Sequence, residues 1–279
     1  MLIKRLLCLV LVLILVTPCA LAVSRDPVLD AALSMLEEGN PFLAQYNMQT
    51  GAGIQARFAL GCPYFFGGSD VKAYKTIGKT REAWQSSMYY KEGKTYVAGF
   101  DCVGFTRWVL CEAGRDEHPS LGTLISPYKS SKYVLTVTYS VPDDMVSQYL
   151  QPGDMLVLQH ARGGYHIMMF IGTLRTFGWA VNNLPTNLAG LLDYPLVIHC
   201  SSNEDYYDRY SQYVRASKPW AEPTDGGVMV SILNAPKVDT NGIMANEDGS
   251  SYPYFNFFGY KLTLYRTDDV QTMQWVRWK

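Results

Sequence analysis

The stretch DMLVLQHARGGYHIMMFIG, residues 154–172, contains two apolar runs separated by a glycine-rich bend. The predicted strands that contain these runs cover residues 154–158 and 165–171, and the bend covers residues 161–164. Short apolar runs on either side of such a bend are typical of a β-hairpin. We therefore predict an antiparallel hairpin in which His166 opens the second strand.

A predicted helix lies before this hairpin in the chain. Residues 102–113 are mostly apolar, and Asp101 is a residue type that caps helix N-termini. Gly114 is a typical helix end. A helix this apolar is expected to be buried, with Cys102 as its first residue.

Other predicted elements surround these two. Helices are predicted from Pro27 to a stop at Gly39, and over residues 53–60. Further strands are predicted at residues 196–200, 227–233 and 259–265. Residues 69–99 are polar and are expected to be irregular surface. Helices followed by strands predict an α+β fold with an antiparallel sheet.

The N-terminus predicts a targeting segment. Lys4 and Arg5 precede an unbroken apolar run at residues 6–16, and Ala20-Leu21-Ala22 offers a small-x-small cleavage pattern. A membrane span needs about 20 apolar residues, so a signal peptide is favoured over an anchor. We therefore expect an exported protein that is cleaved near Ala22 and has no stable membrane span afterwards.

The composition narrows the function classes. With 48% hydrophobic and 18% charged residues, the chain is expected to form a packed core, and wholesale disorder is excluded. A formal net charge of -1 argues against a nucleic-acid binder, which usually presents a basic face. The histidines and acids show no metal-ligand spacing, and no phosphate loop is present in the sequence. Neither a metal nor a cofactor is therefore expected.

Cys102 and His166 are a candidate nucleophile and base. A thiol at the start of a helix is expected to have a lowered pKa, because the N–H groups and the helix dipole favour the thiolate. Gly104 in the first turn is expected to leave the backbone open to a substrate. His199 ends a predicted strand and could orient the His166 ring, whereas His160 is expected to be solvated in the hairpin loop. The alternatives are a buried, inert cysteine and an ordinary sheet histidine.

Four motifs occur in the order found in one family. They are Gly61-x-Pro63-Tyr64-x-x-Gly67-Gly68, Phe100-Asp101-Cys102-x-Gly104-Phe105, Leu150-x-Pro152-Gly153-Asp154 and Tyr165-His166-Ile167-Met168-Met169-Phe170-Ile171-Gly172. Together they resemble the NlpC/P60 cell-wall cysteine peptidases, over roughly residues 51–201. The resemblance implies a papain-like core, with N-terminal helices packed on a small antiparallel sheet.

The resemblance also implies roles for individual residues. Cys102 is then the nucleophile, His166 the base and His199 the third polar residue. Tyr64 matches the tyrosine that lies near the oxyanion, and Asp101 matches the aspartate that helps to bind the free amine of the substrate. The implied substrate is a peptidoglycan stem peptide, cut typically between D-glutamate and a diamino acid.

Two features depart from the family pattern. Val103 stands where the family usually has a serine that contacts the substrate, which leaves the peptide specificity open. The gap before His199 is longer than usual, so residues 175–194 are expected to be an inserted loop. Asn182 or Asn183 in that loop could be the third residue instead.

The predicted organisation has three parts. A signal peptide covers residues 1–22, an N-terminal helical segment covers residues 23–50, and an NlpC/P60-like catalytic domain covers residues 51–279 with insertions after residues 172 and 202. The predicted function is a cysteine endopeptidase, secreted or held in the cell envelope of a bacterium, that cuts peptidoglycan peptides through a Cys-His-His triad. The alternatives are a related cysteine amidase or acyl-transfer enzyme on another substrate, or a non-catalytic wall-associated protein.

Overall fold

The computed structural model describes part of the chain. The described residues are 26–36, 64–68, 80–83, 85, 90–97, 99–115, 134–137, 149–178, 180, 186–202, 226–234, 255–257 and 260–278. The predicted signal peptide at 1–22, the predicted helix at 53–60 and the second insertion at 203–225 lie outside them, as do Asn182 and Asn183. No helix within the described stretches is long and apolar enough to cross a membrane.

Ten strands and two α-helices are described. The strands are β1 (Thr80–Glu82), β2 (Thr95–Val97), β3 (Val134–Val137), β4 (Met155–His160), β5 (Tyr165–Gly172), β6 (Leu196–Ser201), β7 (Gly227–Leu233), β8 (Phe255–Phe257), β9 (Tyr260–Tyr265) and β10 (Val270–Trp278). The helices are α1 (Pro27–Ser34) and α2 (Cys102–Glu112). Two short 3₁₀ helices, Arg175–Phe177 and Thr186–Leu191, lie in the predicted inserted loop.

Eight of the strands form one sheet in the order β3-β10-β4-β5-β6-β7-β9-β8. Its neighbours are antiparallel except for β7 and β9, which run parallel. The predicted α+β class is confirmed, but the sheet is mixed and larger than the small antiparallel sheet that was predicted. The extra size comes from strands β3, β8 and β10, which were not predicted, and the mixed character comes from the parallel pairing of the predicted strands β7 and β9. The sequence VQTMQWVRW of β10 breaks the polar–apolar alternation at Gln271-Thr272 and at Trp275-Val276, so its strand signal is weak.

The predicted strands that form the centre of the sheet are present. The hairpin β4–β5 has the predicted bend, and β7 has the predicted bounds, Gly227–Leu233. The interpretation of residues 69–99 as irregular surface is wrong in part, because β1 and β2 form a separate antiparallel pair there.

Both faces of the central strands are buried. Ile167, Met169 and Ile171 of β5 pack in the same cluster as α2, whereas Met168 and Phe170 pack in a second cluster on the opposite face. Helix α2 lies against β5 and β6, and α1 contacts α2. Burial on both faces explains why β5 is a continuous apolar run rather than an alternating one.

Asp154 connects the turn before β4 to the last strand. Its Oδ2 accepts a hydrogen bond from the N–H of Gln151 at 2.8 Å, which holds the turn. Both carboxylate oxygens also accept bonds from the guanidinium of Arg277 on β10, each at 2.7 Å. The carboxylate is buried and the arginine is largely covered, so this ion pair fastens β10 beside β4.

We expect Arg277→Ala to lower the free energy of unfolding by about 3 kcal/mol, because it leaves the buried Asp154 carboxylate without its cation. Arg175→Ala is the matched control, since Arg175 also forms a two-bond ion pair, with Asp193, but both partners are exposed. Urea unfolding of both variants measures the difference. Equal destabilisation by the two substitutions would contradict the role given to Arg277.

Candidate active site

Asp101 and Cys102 stand where an extended segment turns into α2. Asp101 has an extended backbone, with φ -90° and ψ -176°, and its Oδ1 accepts a hydrogen bond from the N–H of Gly104 at 2.7 Å. The N–H groups of Val103 and Gly67 also bond this side chain, although burial still raises the pKa of Asp101. This cap begins the helix at Cys102, as predicted, and places the thiol at the N-terminal end of α2.

Gly104 packs against a neighbouring segment, residues 64–68. A Cβ on Gly104 would collide with the carbonyl oxygen of Gly68. The same segment is tied to the residues before α2, because the N–H of Phe65 donates to the carbonyl of Phe100 at 2.8 Å. The prediction that Gly104 leaves the backbone open to a substrate is wrong. Its missing side chain instead lets residues 64–68 lie directly against the first turn of α2.

The sheet opens between β5 and β6 next to the start of α2. The ladder between these strands ends at the pair Met169–Ile198, whereas β6 stays paired with β7 as far as Ser201. Phe170 bonds the chain leading into β4 through both its N–H and its C=O. By the alternation of an antiparallel strand, the N–H of Ile167 then points toward β6, beyond the end of the ladder. That N–H is therefore available to another acceptor.

The acceptor is the sulfur of Cys102, which bonds the N–H of Ile167, the residue after His166. Burial, with a smaller contribution from the charge of Asp101, raises the pKa of the Cys102 thiol to about 12. The N–H groups at the helix start and on Ile167 act in the opposite direction, but they do not offset the loss of water around the sulfur. The predicted lowering of the thiol pKa is therefore wrong, and Cys102 is a neutral thiol at neutral pH.

His166 and His199 meet as a pair of buried rings. Nε2 of His166 lies 2.9 Å from Nδ1 of His199, and the two rings are nearly perpendicular, at 82°. Burial lowers the pKa of His166 to about 3 and holds the pKa of His199 well below its usual value. Both rings are therefore neutral at pH 7, and one N–H must lie between them. Within the described residues, no hydrogen bond joins the thiol of Cys102 to either ring.

Tyr265, at the end of β9, covers the histidine pair. Its ring stacks on His166 with centroids 5.6 Å apart and meets the edge of His199 at 5.5 Å. Burial raises the pKa of Tyr265, and the nearby Asp269 and Cys102 add to the rise. The hydroxyl lies 3.4 Å from Nε2 of His160, whose Nδ1 is 3.2 Å from Asp269. The prediction that His160 is merely solvated is therefore wrong.

Sequence reasoning missed Tyr265 and two hydroxyl residues behind the histidines. Ser231 Oγ lies 2.8 Å from Nε2 of His199, and Thr263 Oγ1 lies 2.5 Å from Ser231 Oγ. Both residues fall in strands that were predicted, β7 and β9. The signal available in the sequence was a hydroxyl residue inside a strand expected to be buried, because a buried hydroxyl needs a hydrogen-bond partner.

The remaining predicted residues lie close to the start of α2. The backbone of Tyr64 pairs with Phe100 and donates to the carbonyl of Gly226, so its position beside this junction is fixed, while its predicted role remains a prediction. Val103 is buried in the hydrophobic core. Within the described parts of the chain, no cluster of three or more His, Cys, Asp or Glu side chains could hold a metal ion.

The raised thiol pKa predicts how the alkylation rate of Cys102 depends on pH. Since the thiolate fraction grows tenfold per pH unit below the pKa, iodoacetamide should label Cys102 about ten times faster for each unit between about pH 6 and 9. Peptide mapping by mass spectrometry separates Cys102 from Cys111 and Cys200 in the full chain. A rate that stays constant between about pH 5 and 8 would instead indicate a preformed thiolate.

One of three comparisons with known proteins gave a match. The model of the NlpC/P60 family matches residues 61–184, a stretch that contains Tyr64, Asp101, Cys102 and His166 and ends before His199. The chain matches no curated protein and no solved structure. The resemblance found in the sequence is therefore confirmed over residues 61–184, where the chain matches the NlpC/P60 family model.

Proposed function

We propose that this protein is a cysteine endopeptidase that hydrolyses peptidoglycan stem peptides, with Cys102 as nucleophile and His166 as base. The family domain suggests cell-wall peptidase activity, and its members are generally cysteine peptidases or amidases. The assignment of Cys102 and His166 to these roles rests on one observation. The Cys102 sulfur bonds the backbone N–H next to His166, whose ring is in turn held by His199.

The ring atom of His166 that takes the proton follows from the hydrogen bonds. Nε2 is occupied by His199, so Nδ1 is the nitrogen that can accept the thiol proton. Because burial keeps the His166 ring neutral at pH 7, its lone pair is available whenever a substrate binds. Stacking on Tyr265 restrains the plane of the ring and thereby keeps Nδ1 in one orientation.

The reaction has two halves. As the Cys102 sulfur bonds the carbonyl carbon of the substrate, its proton passes to Nδ1 of His166. The same proton then goes to the leaving amine as the C–N bond breaks, leaving a thioester on Cys102. His166 next takes a proton from water, the hydroxide attacks the thioester, and the proton returns to the sulfur when the acid is released. Proton transfer accompanies attack because neither partner is charged beforehand.

The substrate proposal rests on the family and on the surroundings of the thiol. We propose that the bond between D-glutamate and a diamino acid is cut, and that Tyr64 lies near the developing oxyanion. Asp101 would contact the free amine of the peptide only with lone pairs not already used by the helix cap. Since Val103 packs in the core, the serine contact usual in the family is absent here, and other residues would provide that part of the specificity.

The apolar run at residues 6–16 supports the further proposal that the chain is exported and acts in the cell envelope of a bacterium. Export would bring the thiol to the wall, where the proposed substrate lies. Detection of the protein in the envelope fraction, shortened by about the first 22 residues, tests this proposal.

We expect Cys102→Ser and His166→Ala each to reduce turnover of a purified stem peptide by at least about a thousandfold, because each removes a group that acts in both halves of the reaction. His199→Ala should leave a measurable remnant, and His199→Asn should retain more, since an amide can still accept the N–H of His166. Cys111→Ser, on the same helix but outside the site, is the control and should turn over like the wild type.

Digestion of purified murein, with the fragments identified by mass, is the measurement. Fragments ending in D-glutamate, produced by the wild type and lost in Cys102→Ser, are the expected result. Cleavage of an amide elsewhere that depends on the same residues would favour the amidase alternative. Turnover by Cys102→Ser equal to that of the control would contradict the nucleophile assignment.

A further inference from the structure

The histidine pair continues into a chain of buried hydroxyl groups. Nε2 of His199 lies 2.8 Å from Ser231 Oγ, which lies 2.5 Å from Thr263 Oγ1. Thr263 Oγ1 in turn lies 3.2 Å from the carbonyl oxygen of Val230. His199 and Ser231 are each 1% exposed and Thr263 is 7% exposed, so these groups depend on one another for hydrogen bonds.

The strand order of the sheet brings these side chains together. His199 is on β6, Ser231 on β7 and Thr263 on β9, which are successive neighbours in the sheet. Ser231 and Thr263 are direct partners in the parallel ladder of β7 and β9. The side chains of His199, Ser231 and Thr263, on three strands, therefore form one line of hydrogen bonds that leads from the sheet interior to His166.

The carbonyl at the end of this line can only accept a proton, and each hydroxyl has only one proton to give. If Thr263 donates to Val230, the short bond between the hydroxyls must use the proton of Ser231. Ser231 Oγ can then only accept from His199, which places the proton of His199 on Nε2. Nδ1 of His199 is left as an acceptor, so His166 carries its proton on Nε2 and leaves Nδ1 open.

If the hydrogen bonds ran in the opposite direction, His166 could not act as a base. Thr263 would donate to Ser231, Ser231 to Nε2 of His199, and Nδ1 of His199 to Nε2 of His166. His166 would then hold its proton on Nδ1, where it could not accept another from a thiol. That direction also leaves the carbonyl of Val230 without the Thr263 proton.

We propose that Ser231 and Thr263 are positioning residues that fix the tautomers of both histidines and so keep Nδ1 of His166 unprotonated. Their use in catalysis rests on the proposed function, whereas the tautomers themselves do not. When the hydrogen bonds run in this direction, each hydroxyl accepts through its oxygen on the side that leads to the histidines. The hydroxyl dipoles are therefore also oriented to stabilise the positive charge that His166 gains when it takes the thiol proton.

The first test is the tautomer of each ring in the full chain labelled with ¹⁵N-histidine, without substrate, by NMR near neutral pH. The expected result is an Nε2–H on both His166 and His199, assigned with His166→Gln and His199→Gln. An Nδ1–H on His199 in the wild type overturns the proposal whatever the activity. The expected tautomers in a chain that does not cleave murein would support the proposal and contradict only the proposed function.

The second test compares Thr263→Val, which keeps the shape but removes the hydroxyl, with Thr263→Ser, which keeps the hydroxyl. Thr263→Val should lower kcat on the stem peptide about tenfold with little change in KM, since one hydrogen bond is lost and the direction of the line is no longer fixed. It should also show Nδ1–H signals that the wild type lacks. Thr263→Ser should restore both. Equal losses in the two variants, or wild-type tautomers in Thr263→Val, overturn the proposal.

Discussion

Two buried imidazole rings meet between neighbouring strands of the sheet, with Nε2 of His166 2.9 Å from Nδ1 of His199. This bond occupies Nε2 of His166 and leaves Nδ1 as its other ring nitrogen, and it needs a single proton between two neutral rings. Burial keeps both rings neutral at pH 7 because it lowers the pKa values of His166 and His199. A neighbour that reversed the proton order would leave the bond intact but protonate Nδ1 of His166, which could then not act as the proposed base. The polar groups bonded to His199 are therefore as important to the proposed mechanism as the His166 ring itself.

Burial shifts the pKa of the proposed nucleophile in the opposite direction. Cys102 lies at a helix start, where a thiolate is normally favoured, yet burial and the cap residue Asp101 raise its pKa to about 12. The helix start therefore positions the sulfur here more than it favours the thiolate. Asp101 begins the helix at Cys102, and the sulfur reaches the N–H of Ile167 where the β5–β6 ladder has ended. A neutral thiol and a neutral imidazole suit the proposed reaction, in which charge separation occurs only with substrate in place.

The sequence allowed the local elements of the site to be predicted, because their signals are local. A capping aspartate followed by an apolar run predicted α2 with Cys102 at its start, and a glycine bend between apolar runs predicted the hairpin that carries His166. His199 was correctly expected to adjoin His166, as the hydrogen bond between them confirms. These residues are marked by their own neighbours in the chain.

The other contacts of the histidines depend on strand order, which no local sequence pattern predicts. Ser231 and Thr263 meet because β7 and β9 pair in parallel, and an antiparallel sheet was predicted. Tyr265 stacks on His166 from nearly a hundred residues away in the sequence, and nothing around it indicates that contact. The pKa of Cys102 was predicted with the wrong sign because the helix dipole is visible in the sequence, whereas the loss of water is not.

The most direct test of the account is the mass of the enzyme during turnover. Wild-type protein mixed with a purified stem peptide and quenched in acid should carry the acyl part of the substrate as a thioester, and peptide mapping should place it on Cys102. The adduct should be absent from Cys102→Ala, which should also fail to cleave the peptide. Cleavage that continues in Cys102→Ala without any adduct would contradict the central claim that this thiol is the nucleophile.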